Sequence, residues 1–356
     1  MKISGLKILA ISDLCLDESI YNKAFQKFTD NGAILKIIEW KLTDLQDLRA
    51  KVIKTEVEGP NSVNNIPGLE LIVSDFDILV THICPIPEKI IDCGKNLKVI
   101  GCARSGFENI DINAATKRKI PVLYCPLSKI TAIADFIIGI LLSECRSLAR
   151  SHCKMTKGIW DPDFAFFSDF KSLSNSTVGI IGFGNIAQSV SKRLKGFNVK
   201  LLVSDPFLTE EKIIKYGGQK VSLNELLTNS DFVILLARLN EGTKNLISIN
   251  EFSLMRESAY FINAARAGLV DYRALREVLI NKRIAGAALD VFETEPLDKN
   301  DPLIKLENVT LTPHIGGVSR EGYLQAAKDI AKDIERLLKY KSPNYVANPG
   351  TLKILK

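Results

Sequence analysis

Short apolar runs recur along the chain, and polar, helix-like stretches separate each run from the next. The first series lies between residues 7 and 126, and the second begins at residue 177 and continues to residue 313. Buried strands that alternate with amphipathic helices are typical of a parallel sheet covered by helices on both faces. Apolar residues at three- and four-residue spacing over 131–150 predict one long helix between the two series. We therefore expect an α/β fold with two doubly wound parallel-sheet domains.

The composition excludes several other classes of protein. The 356 residues include 46% hydrophobic and 25% charged residues, as in ordinary folded domains and unlike disordered chains. A net charge of +6 from dispersed Lys and Arg does not provide the clustered basic surface of a nucleic-acid-binding protein. The apolar runs fall well short of the roughly 20 residues that cross a bilayer, and the N-terminal segment is predicted to be a strand instead of a signal peptide. We expect no nucleic-acid partner, no membrane partner and no export.

The cysteines point to a reducing compartment. Seven occur, an odd number, and no two of them form a C-x-x-C pair. Most lie inside apolar runs, where a cysteine is a small buried hydrophobic residue. This usage predicts a cytoplasmic protein with no metal site.

A glycine-rich turn follows the first strand of the second series. Gly182, Gly184 and Ala187 fit the pattern G-x-G-x-x-G/A, with a strand before them and a helix after them. Gly182 allows the tight turn, and Gly184 lets a pyrophosphate approach the backbone. The helix N-terminus at Asn185 and Ile186 offers N–H groups to that anion. A glycine turn without a ligand is the alternative, but the coincidence of strand, turn and helix favours a nucleotide site.

An acidic residue at the end of the next strand indicates which nucleotide is bound. Asp205 lies about 20 residues beyond the glycines, where dinucleotide-binding folds place the acid that contacts the adenosine ribose. Its carboxylate can accept hydrogen bonds from both ribose hydroxyls, and its charge would repel a 2′-phosphate. The sequence therefore favours NAD over NADP.

Three further motifs follow the glycine turn in order, namely NAARAGLVD at 263–271, GAALDVFETEP at 286–296 and TPHIGG at 312–317. With these motifs the sequence resembles the D-isomer-specific 2-hydroxyacid dehydrogenases from about residue 70 to 340. The first seventy residues match only in their α/β pattern. The resemblance implies an NAD-dependent oxidoreductase that transfers a hydride between the nicotinamide and C2 of a small D-2-hydroxy acid or 2-keto acid.

By this resemblance, Arg266, Glu295 and His314 are the catalytic residues. A planar guanidinium can hold the substrate carboxylate and polarise the carbonyl. A histidine can exchange the proton of the developing alkoxide near neutral pH. A carboxylate beside that imidazole favours its protonated form and orients the ring. Without the motifs, Arg266 could equally be a surface residue, Glu295 a turn residue and His314 part of a loop.

The resemblance assigns further contacts. The segment GCARSGFENID at 101–111 is similar to the family's substrate-binding loop, in which backbone N–H groups at Ser105 and Gly106 would hold the substrate carboxylate. Arg266 would bind the same substrate. Ala264 would lie along the cofactor, and Asp290 would contact the nicotinamide carboxamide.

The chain also departs from the family pattern. Members commonly carry His-x-Pro-Leu-Thr where this chain has Leu236–Asn240. The change places Arg238 near the site, where it could pair with an acidic substrate group, replace a cofactor contact or face solvent. The loop Thr81–Cys84 contains no arginine that could bind a phosphate group, so the sequence gives no support to a phosphorylated substrate. His82 ends a strand on the predicted substrate side and has either a substrate contact or no role, whereas His152 is expected to be solvated.

The resemblance also sets the expected organisation. A Rossmann NAD-binding domain is expected over 128–317, and a flavodoxin-like substrate domain over 1–127, completed by 318–356. The hydride would pass in the cleft between them. A homodimer built around the 131–150 helix and the aromatic segment 160–170 is implied. The chain ends soon after the last helix, so no regulatory domain like that of longer phosphoglycerate dehydrogenases is expected.

A second function stays open from the sequence alone. Transcriptional corepressors of the C-terminal-binding-protein type resemble the same family and retain its triad, and they act as NAD(H)-sensing scaffolds with little turnover. The short tail after residue 340 leaves little room for partner binding and favours the enzyme. Formate oxidation is disfavoured, because those relatives carry Gln where this chain has Glu295.

Overall fold

The computed structural model describes residues 3–161 and 172–354. The chain divides into two compact units, which we call unit 1 and unit 2. Unit 1 comprises Met1–Lys129 with Ser319–Lys356, and unit 2 comprises Ile130–Val318. The sequence alone predicts divisions after residues 127 and 317.

Unit 1 contains a five-stranded parallel sheet with the order β2-β1-β3-β4-β5, which is the order of flavodoxin-like folds. Its strands are β1 Lys7–Ser12, β2 Ile34–Glu39, β3 Ile78–Thr81, β4 Val99–Cys102 and β5 Val122–Tyr124. The helices between them are α1 Glu18–Asp30, α2 Leu45–Glu58, α3 Leu69–Ile72, α4 Glu88–Cys93 and α5 Ile112–Lys117. Strands β3 and β4 are buried at every position, because helices cover both faces of the sheet.

Unit 2 contains a seven-stranded parallel sheet with the order β12-β11-β10-β9-β6-β7-β8. Its strands are β6 Thr177–Ile181, β7 Lys200–Ser204, β8 Gly218–Lys220, β9 Phe232–Leu235, β10 Tyr260–Asn263, β11 Gly286–Leu289 and β12 Val309–Leu311. Its helices are α6 Ile130–Arg146, α7 Leu148–Met155, α8 Asn185–Leu194, α9 Glu210–Ile214, α10 Leu223–Asn229, α11 Ile249–Leu254 and α12 Tyr272–Ile280. Counted from β8, this is the Rossmann strand order extended by β12. The predicted α/β class with two parallel sheets is confirmed.

The last helix, α13 Arg320–Leu338, belongs to unit 1. The side chain of Ser319 caps it by accepting a hydrogen bond from the Gly322 N–H at 2.9 Å. Ile330 and Ile334 are fully buried in a core cluster with residues of α1 and β1. The apolar stripe of this helix therefore completes the core of unit 1.

The prediction of one continuous helix over 131–150 is wrong. The structure has two helices, α6 and α7, because Ser147 between them adopts a left-handed φ of 50°. A left-handed residue cannot continue a right-handed helix. Buried Glu144 pairs with Arg150 across the break. Among the described residues, no helix is both long enough and apolar enough to cross a membrane.

Candidate active site

The predicted site residues of unit 2 lie in the loops that follow its strands. Gly182 follows β6, Arg266 follows β10, Asp290 follows β11 and His314 follows β12. Ala264 is half-buried directly after β10. Because the strands are parallel, these loops share one edge of the sheet, and this is the edge at which α/β folds bind ligands.

Gly182 occupies a position that only glycine can take. Its φ is +82°, and a Cβ atom there would lie 2.5 Å from Cα and 2.6 Å from N of Ala237. These neighbours are backbone atoms and cannot turn away as a side chain would. The Gly182 N–H donates to the carbonyl of Ser204 at 2.9 Å. The turn after β6 is thus held between β7 and the loop after β9.

Gly184 and the start of α8 leave space beside a positive helix end. No atom lies within 4 Å of a Cβ built at Gly184, and no side chain caps the helix that begins at Asn185. The first N–H groups of a helix have no partner within the helix, and they attract anions such as phosphate. The local geometry therefore fits a pyrophosphate at Asn185 and Ile186.

Asp205 connects this turn with the next strand. Its Oδ2 accepts a hydrogen bond from the Phe183 N–H at 2.8 Å, and its Oδ1 accepts one from the Phe207 N–H at 2.9 Å. Each carboxylate oxygen has two lone pairs, so both oxygens can still accept a hydroxyl. The two backbone contacts orient the half-buried carboxylate before any ribose is bound.

Glu295 and His314 form a hydrogen-bonded pair. His314 Nδ1 lies 2.8 Å from Glu295 Oε2, and the other carboxylate oxygen accepts the Phe292 N–H at 3.1 Å. The His314 side chain is 47% exposed and that of Glu295 is 28% exposed. The contact at Nδ1 leaves Nε2 as the ring nitrogen available to a ligand.

The charge state of Glu295 follows from its neighbours. Partial burial disfavours the carboxylate, but the hydrogen bonds from His314 and Phe292 and the positive charge of Arg266 outweigh it. Together they hold the pKa of Glu295 below its ordinary value. Glu295 is therefore ionised at neutral pH.

Asp290 anchors the loop that carries His314. It is 2% exposed, and its Oδ1 accepts from Thr312 Oγ1 at 2.7 Å and from the Ile315 N–H at 2.9 Å. Its Oδ2 accepts from the Gly316 N–H at 2.9 Å. His314 lies in the middle of this segment with a left-handed φ of 54°, which a non-glycine residue adopts only when its surroundings impose it. One buried carboxylate thus fixes the backbone on both sides of His314.

Arg266 is exposed and follows a braced turn. The amide of buried Asn263 accepts the Ala265 N–H at 3.1 Å and donates to the Arg266 carbonyl at 3.4 Å. The guanidinium donates to the Ala265 carbonyl at 2.8 Å. The structure therefore brings Arg266, Glu295 and His314 to one edge of unit 2.

Helix α12 braces the segment that carries Glu295. The Tyr272 hydroxyl donates to the carbonyl of Val291. Arg276 pairs with Asp301 at 2.7 Å and with Glu293 at 3.1 Å. Among the described residues, no group of three or more His, Cys, Asp or Glu is arranged to hold a metal ion.

The predicted substrate loop follows β4 in unit 1. Ser105 is exposed and Gly106 is half-buried, and the Gly106 carbonyl accepts from the Cys102 thiol at 3.3 Å. Asn109 is fully buried and donates to the carbonyl of Cys84 at 3.2 Å, which ties this loop to the loop after β3. It is a strand-end loop of the kind that binds ligands.

The other two histidines differ from His314. His82 is 2% exposed, and its Nδ1 lies 2.9 Å from Asp13 Oδ2. Burial lowers the pKa of His82 despite the nearby carboxylate, whereas the contact with His82 and two backbone N–H groups hold the pKa of Asp13 low against its burial. His152 is exposed, as predicted, and so is Arg238.

Several residues that shape these loops were not identified from the sequence. Asn263 and Thr312 brace the loops of Arg266 and His314, and their only sequence signal is their position inside motifs already singled out. Arg104 lies in the substrate loop without an assigned role, although a buried arginine directly after an apolar strand is an unusual residue.

Comparison with known proteins was made by sequence and by structure. Residues 138–316 match the family model described as D-isomer specific 2-hydroxyacid dehydrogenase, NAD binding domain. The chain is 37% identical over 280 residues to a 2-hydroxyacid dehydrogenase of Staphylococcus epidermidis, a protein named by its family alone. The match covers 78% of this chain and 87% of that protein. It is 34% identical over 287 residues to a D-3-phosphoglycerate dehydrogenase of Archaeoglobus fulgidus, with 81% of this chain and 53% of that protein covered. The chain thus spans about half the length of the second relative.

A solved structure shares the fold. The D-lactate dehydrogenase of Lactobacillus jensenii with NAD+ superposes with a TM-score of 0.75 at 23% sequence identity. The superposition covers 96% of this chain and 99% of that chain. At this identity the likeness concerns the fold alone.

Proposed function

The chain belongs to the D-isomer-specific 2-hydroxyacid dehydrogenases and is an NAD-dependent oxidoreductase, and we propose that Arg266, Glu295 and His314 carry its chemistry. The predictions of family, cofactor and activity made from the motifs are confirmed. The comparisons give no support to an NAD(H)-sensing scaffold. The observation that carries the proposal is the 2.8 Å contact between His314 Nδ1 and Glu295 Oε2, at the same sheet edge as Arg266.

Unit 2 holds the cofactor in this proposal, and unit 1 holds the substrate. The open helix end at Gly184, Asn185 and Ile186 would take the pyrophosphate, and Asp205 would take the adenosine ribose. Gly182 keeps the turn tight, and Ala264 would lie along the cofactor. When bound, NAD supplies or accepts the hydride at the nicotinamide. The carboxylate of Asp205 would disfavour the additional phosphate of NADP.

Arg266 orients the substrate and polarises its carbonyl. Its guanidinium is exposed, so it can bind a carboxylate and a carbonyl oxygen in a bidentate manner. Backbone N–H groups at Ser105 and Gly106 would hold the same substrate carboxylate. A fixed cation at the carbonyl stabilises the negative charge that develops on oxygen in the transition state.

His314 moves the proton. Glu295 holds Nδ1, so Nε2 donates a proton to the C2 oxygen in reduction and accepts it back in oxidation. The ionised Glu295 stabilises the protonated ring between these steps. Reduction therefore requires protonated His314, and oxidation requires the neutral ring.

Asp290 acts mainly as a positioning residue in this proposal. It already accepts three hydrogen bonds from Thr312, Ile315 and Gly316, so its main effect is to fix the His314 loop. Oδ2 keeps a lone pair that can accept a hydrogen bond from the nicotinamide carboxamide, as the resemblance implies.

A panel of 2-keto acids tests the function. We expect NADH oxidation with at least one 2-keto acid and far slower oxidation of NADPH. Glu295→Gln keeps the shape of the side chain and removes its charge, so the pH profile of reduction should shift to lower pH. An unchanged pH profile in this variant would contradict the assigned pair, and absence of turnover with every 2-keto acid would contradict the substrate class.

We also propose a homodimer formed through helices α6 and α7 and the segment after them. Leu148, Met155 and Trp160 are exposed apolar residues on this part of unit 2, and Trp160 is 80% exposed. Residues 162–170 of the predicted interface lie outside the described residues. Light scattering of the purified protein tests this, and Trp160→Glu with Leu148→Glu should yield monomers. A monomeric wild-type protein would contradict the proposed homodimer.

The proposed location is the cytoplasm. Among the described residues, Cys84 and Cys125 are free thiols in the core, and burial raises their pKa, so they stay protonated. Thiol titration of the protein extracted under acid quench should give seven reduced cysteines, whereas oxidised cysteines would oppose a reducing compartment.

A further inference from the structure

A buried arginine lies at the carboxyl edge of the unit 1 sheet. Arg104 follows β4 and is 9% exposed. Its Nη2 pairs with Glu56 of α2 and lies 3.8 Å from Oε2 of Glu108. Its Nη1 is buried and has no hydrogen-bond partner among the described residues. A buried guanidinium whose donors are only partly satisfied is destabilising unless a ligand or a water molecule completes its hydrogen bonds.

A second cation lies in the loop that is hydrogen-bonded to Arg104. Lys129 follows β5, and the Cys125 N–H at the start of this loop donates to the Arg104 carbonyl at 3.0 Å. Burial together with the positive charge of Arg104 lowers the pKa of Lys129. Its Nζ lies 5.5 Å from the centre of the Tyr323 ring. Two like charges held in the same partly buried region repel each other, and an anion between them would remove that repulsion.

The structure shows that a carboxylate fits beside Arg104. The Glu108 carboxylate lies directly over Gly106, where a side chain on that glycine would begin, and within ion-pair distance of Arg104. The Glu108 side chain is 46% exposed, so it can turn into solvent and vacate the position. Both acidic partners of Arg104 are carboxylates, which match the planar fork of a guanidinium.

We propose that Arg104 and Lys129 form a subsite for a second carboxylate of the substrate, which replaces the carboxylate of Glu108. The enzyme would then act on dicarboxylic 2-hydroxy and 2-keto acids. The inference rests on the proposed function, in which Ser105 and Gly106 hold the first carboxylate. It adds the distal group, for which the family pattern assigns no residue in this chain.

Steady-state kinetics with NADH test the proposal. Oxaloacetate and 2-oxoglutarate are the dicarboxylates, pyruvate and 2-oxobutyrate are the matched monocarboxylates, and 3-phosphohydroxypyruvate is the phosphate arm. Arg104→Gln should lower kcat/KM for a dicarboxylate by roughly tenfold to a hundredfold, the effect of losing a charge-assisted hydrogen bond, and should leave the monocarboxylates nearly unchanged. Glu108→Gln should raise kcat/KM for dicarboxylates, because the competing charge is gone. Equal losses for both classes in Arg104→Gln, or a loss confined to the phosphate arm, would overturn the proposal.

A binding measurement separates this inference from the proposed function. D-malate and D-lactate are titrated into NADH-loaded protein by calorimetry, where neither can react. Tighter binding of D-malate in the wild type, lost in Arg104→Gln, supports the subsite even if turnover fails. Equal binding of the two acids overturns it even if turnover succeeds.

A purely structural role for Arg104 has a different signature. Glu56→Gln removes the same ion pair from its other side and keeps the arginine. If the pair only ties α2 to β4, Glu56→Gln and Arg104→Gln should lower Tm alike, with no change in the ratio of kcat/KM between dicarboxylates and monocarboxylates. The proposal instead predicts that Glu56→Gln keeps or raises that ratio, so a ratio unaffected by Arg104→Gln contradicts it.

Discussion

Two histidine–carboxylate pairs, one in each unit, have almost the same geometry and different surroundings. His314 Nδ1 lies 2.8 Å from Glu295 in unit 2, and His82 Nδ1 lies 2.9 Å from Asp13 in unit 1. The His314 side chain is 47% exposed, whereas that of His82 is 3% exposed. An exposed ring nitrogen can exchange a proton with a substrate, whereas a buried pair cannot do so without opening the fold. Accessibility, more than the pairing itself, therefore decides which pair can be catalytic.

The largest expected effect belongs to the exposed pair. His314→Ala should lower kcat by roughly 100- to 10,000-fold, since the proton donor is lost. NADH binding should persist, because no proposed cofactor contact is removed. Stopped-flow turnover and fluorescence titration of NADH measure the two quantities, with the exposed His152→Ala as the matched control. If kcat of His314→Ala matched the wild type, the two pairs would not differ in the way we describe.

The buried pair should affect stability instead of turnover. Asp13 also accepts the Cys15 N–H at 2.8 Å and the Leu16 N–H at 3.0 Å, so Asp13→Asn disturbs three contacts in one core. We expect the free energy of unfolding of unit 1 to fall by about 1–3 kcal/mol. Trp40 is buried in unit 1, and its fluorescence in urea reports this transition. A large loss of kcat in the folded variant, with stability unchanged, would reverse the roles of the two pairs.

Asp290→Asn should give a smaller loss of activity, of about tenfold in kcat. The amide keeps one acceptor and loses the second, so one of the bonds that fix the His314 loop is broken, at about 1–2 kcal/mol. Thr312→Val removes a single bond to the same carboxylate and is the graded control. A fall in kcat at constant KM for NADH supports the positioning role. A rise in that KM alone would favour the contact with the nicotinamide carboxamide.

The pH dependence of stability sharpens the comparison further. Because burial lowers the pKa of His82, the unfolded chain binds a proton before the folded chain does as the pH falls below about 6.5. Stability contributed by neutral His82 is therefore present above this pH and is lost below it, by up to about 1.4 kcal/mol per pH unit. Asp13, whose pKa is lowered, contributes to acid unfolding only at still lower pH. Urea unfolding between pH 7 and 5 should show a steeper loss in the wild type than in His82→Gln, and equal slopes would contradict the buried neutral ring.

The sequence was informative where a few consecutive residues create the chemistry. The β-strand pattern predicted both parallel sheets, and the ordered motifs around Arg266, Glu295 and His314 led to the family. The glycine turn after β6 and Asp205 led to the cofactor. Each of these signals depends on neighbouring residues, so one sequence is enough to recognise it. The residue-level roles in the site stay predictions that the experiments above test.

Contacts between distant residues were outside the reach of that reasoning. Asp13 and His82 are 69 positions apart, and Glu56 and Arg104 are 48 apart, so no local pattern pairs them. The partners of Asp290 lie on a different strand end, 22 to 26 positions away. The break at Ser147 was missed for a different reason. Its backbone is left-handed and ends a helix that the neighbouring residues favour. Burial and pairing are properties of the folded chain, and they decide what these residues do.

The smallest expected effect distinguishes two arginines that both follow strands. Arg238 follows β9 and is exposed, whereas Arg104 follows β4 and is buried. We propose no substrate or cofactor contact for Arg238, so Arg238→Gln should change kcat/KM by about twofold or less for every substrate, which corresponds to about 0.5 kcal/mol or less. The panel of monocarboxylates and dicarboxylates measures it beside Arg104→Gln. If Arg238→Gln selectively lowered kcat/KM for dicarboxylates and Arg104→Gln did not, the second carboxylate would be bound at the departure from the family pattern after β9, and the subsite proposed at Arg104 would be wrong.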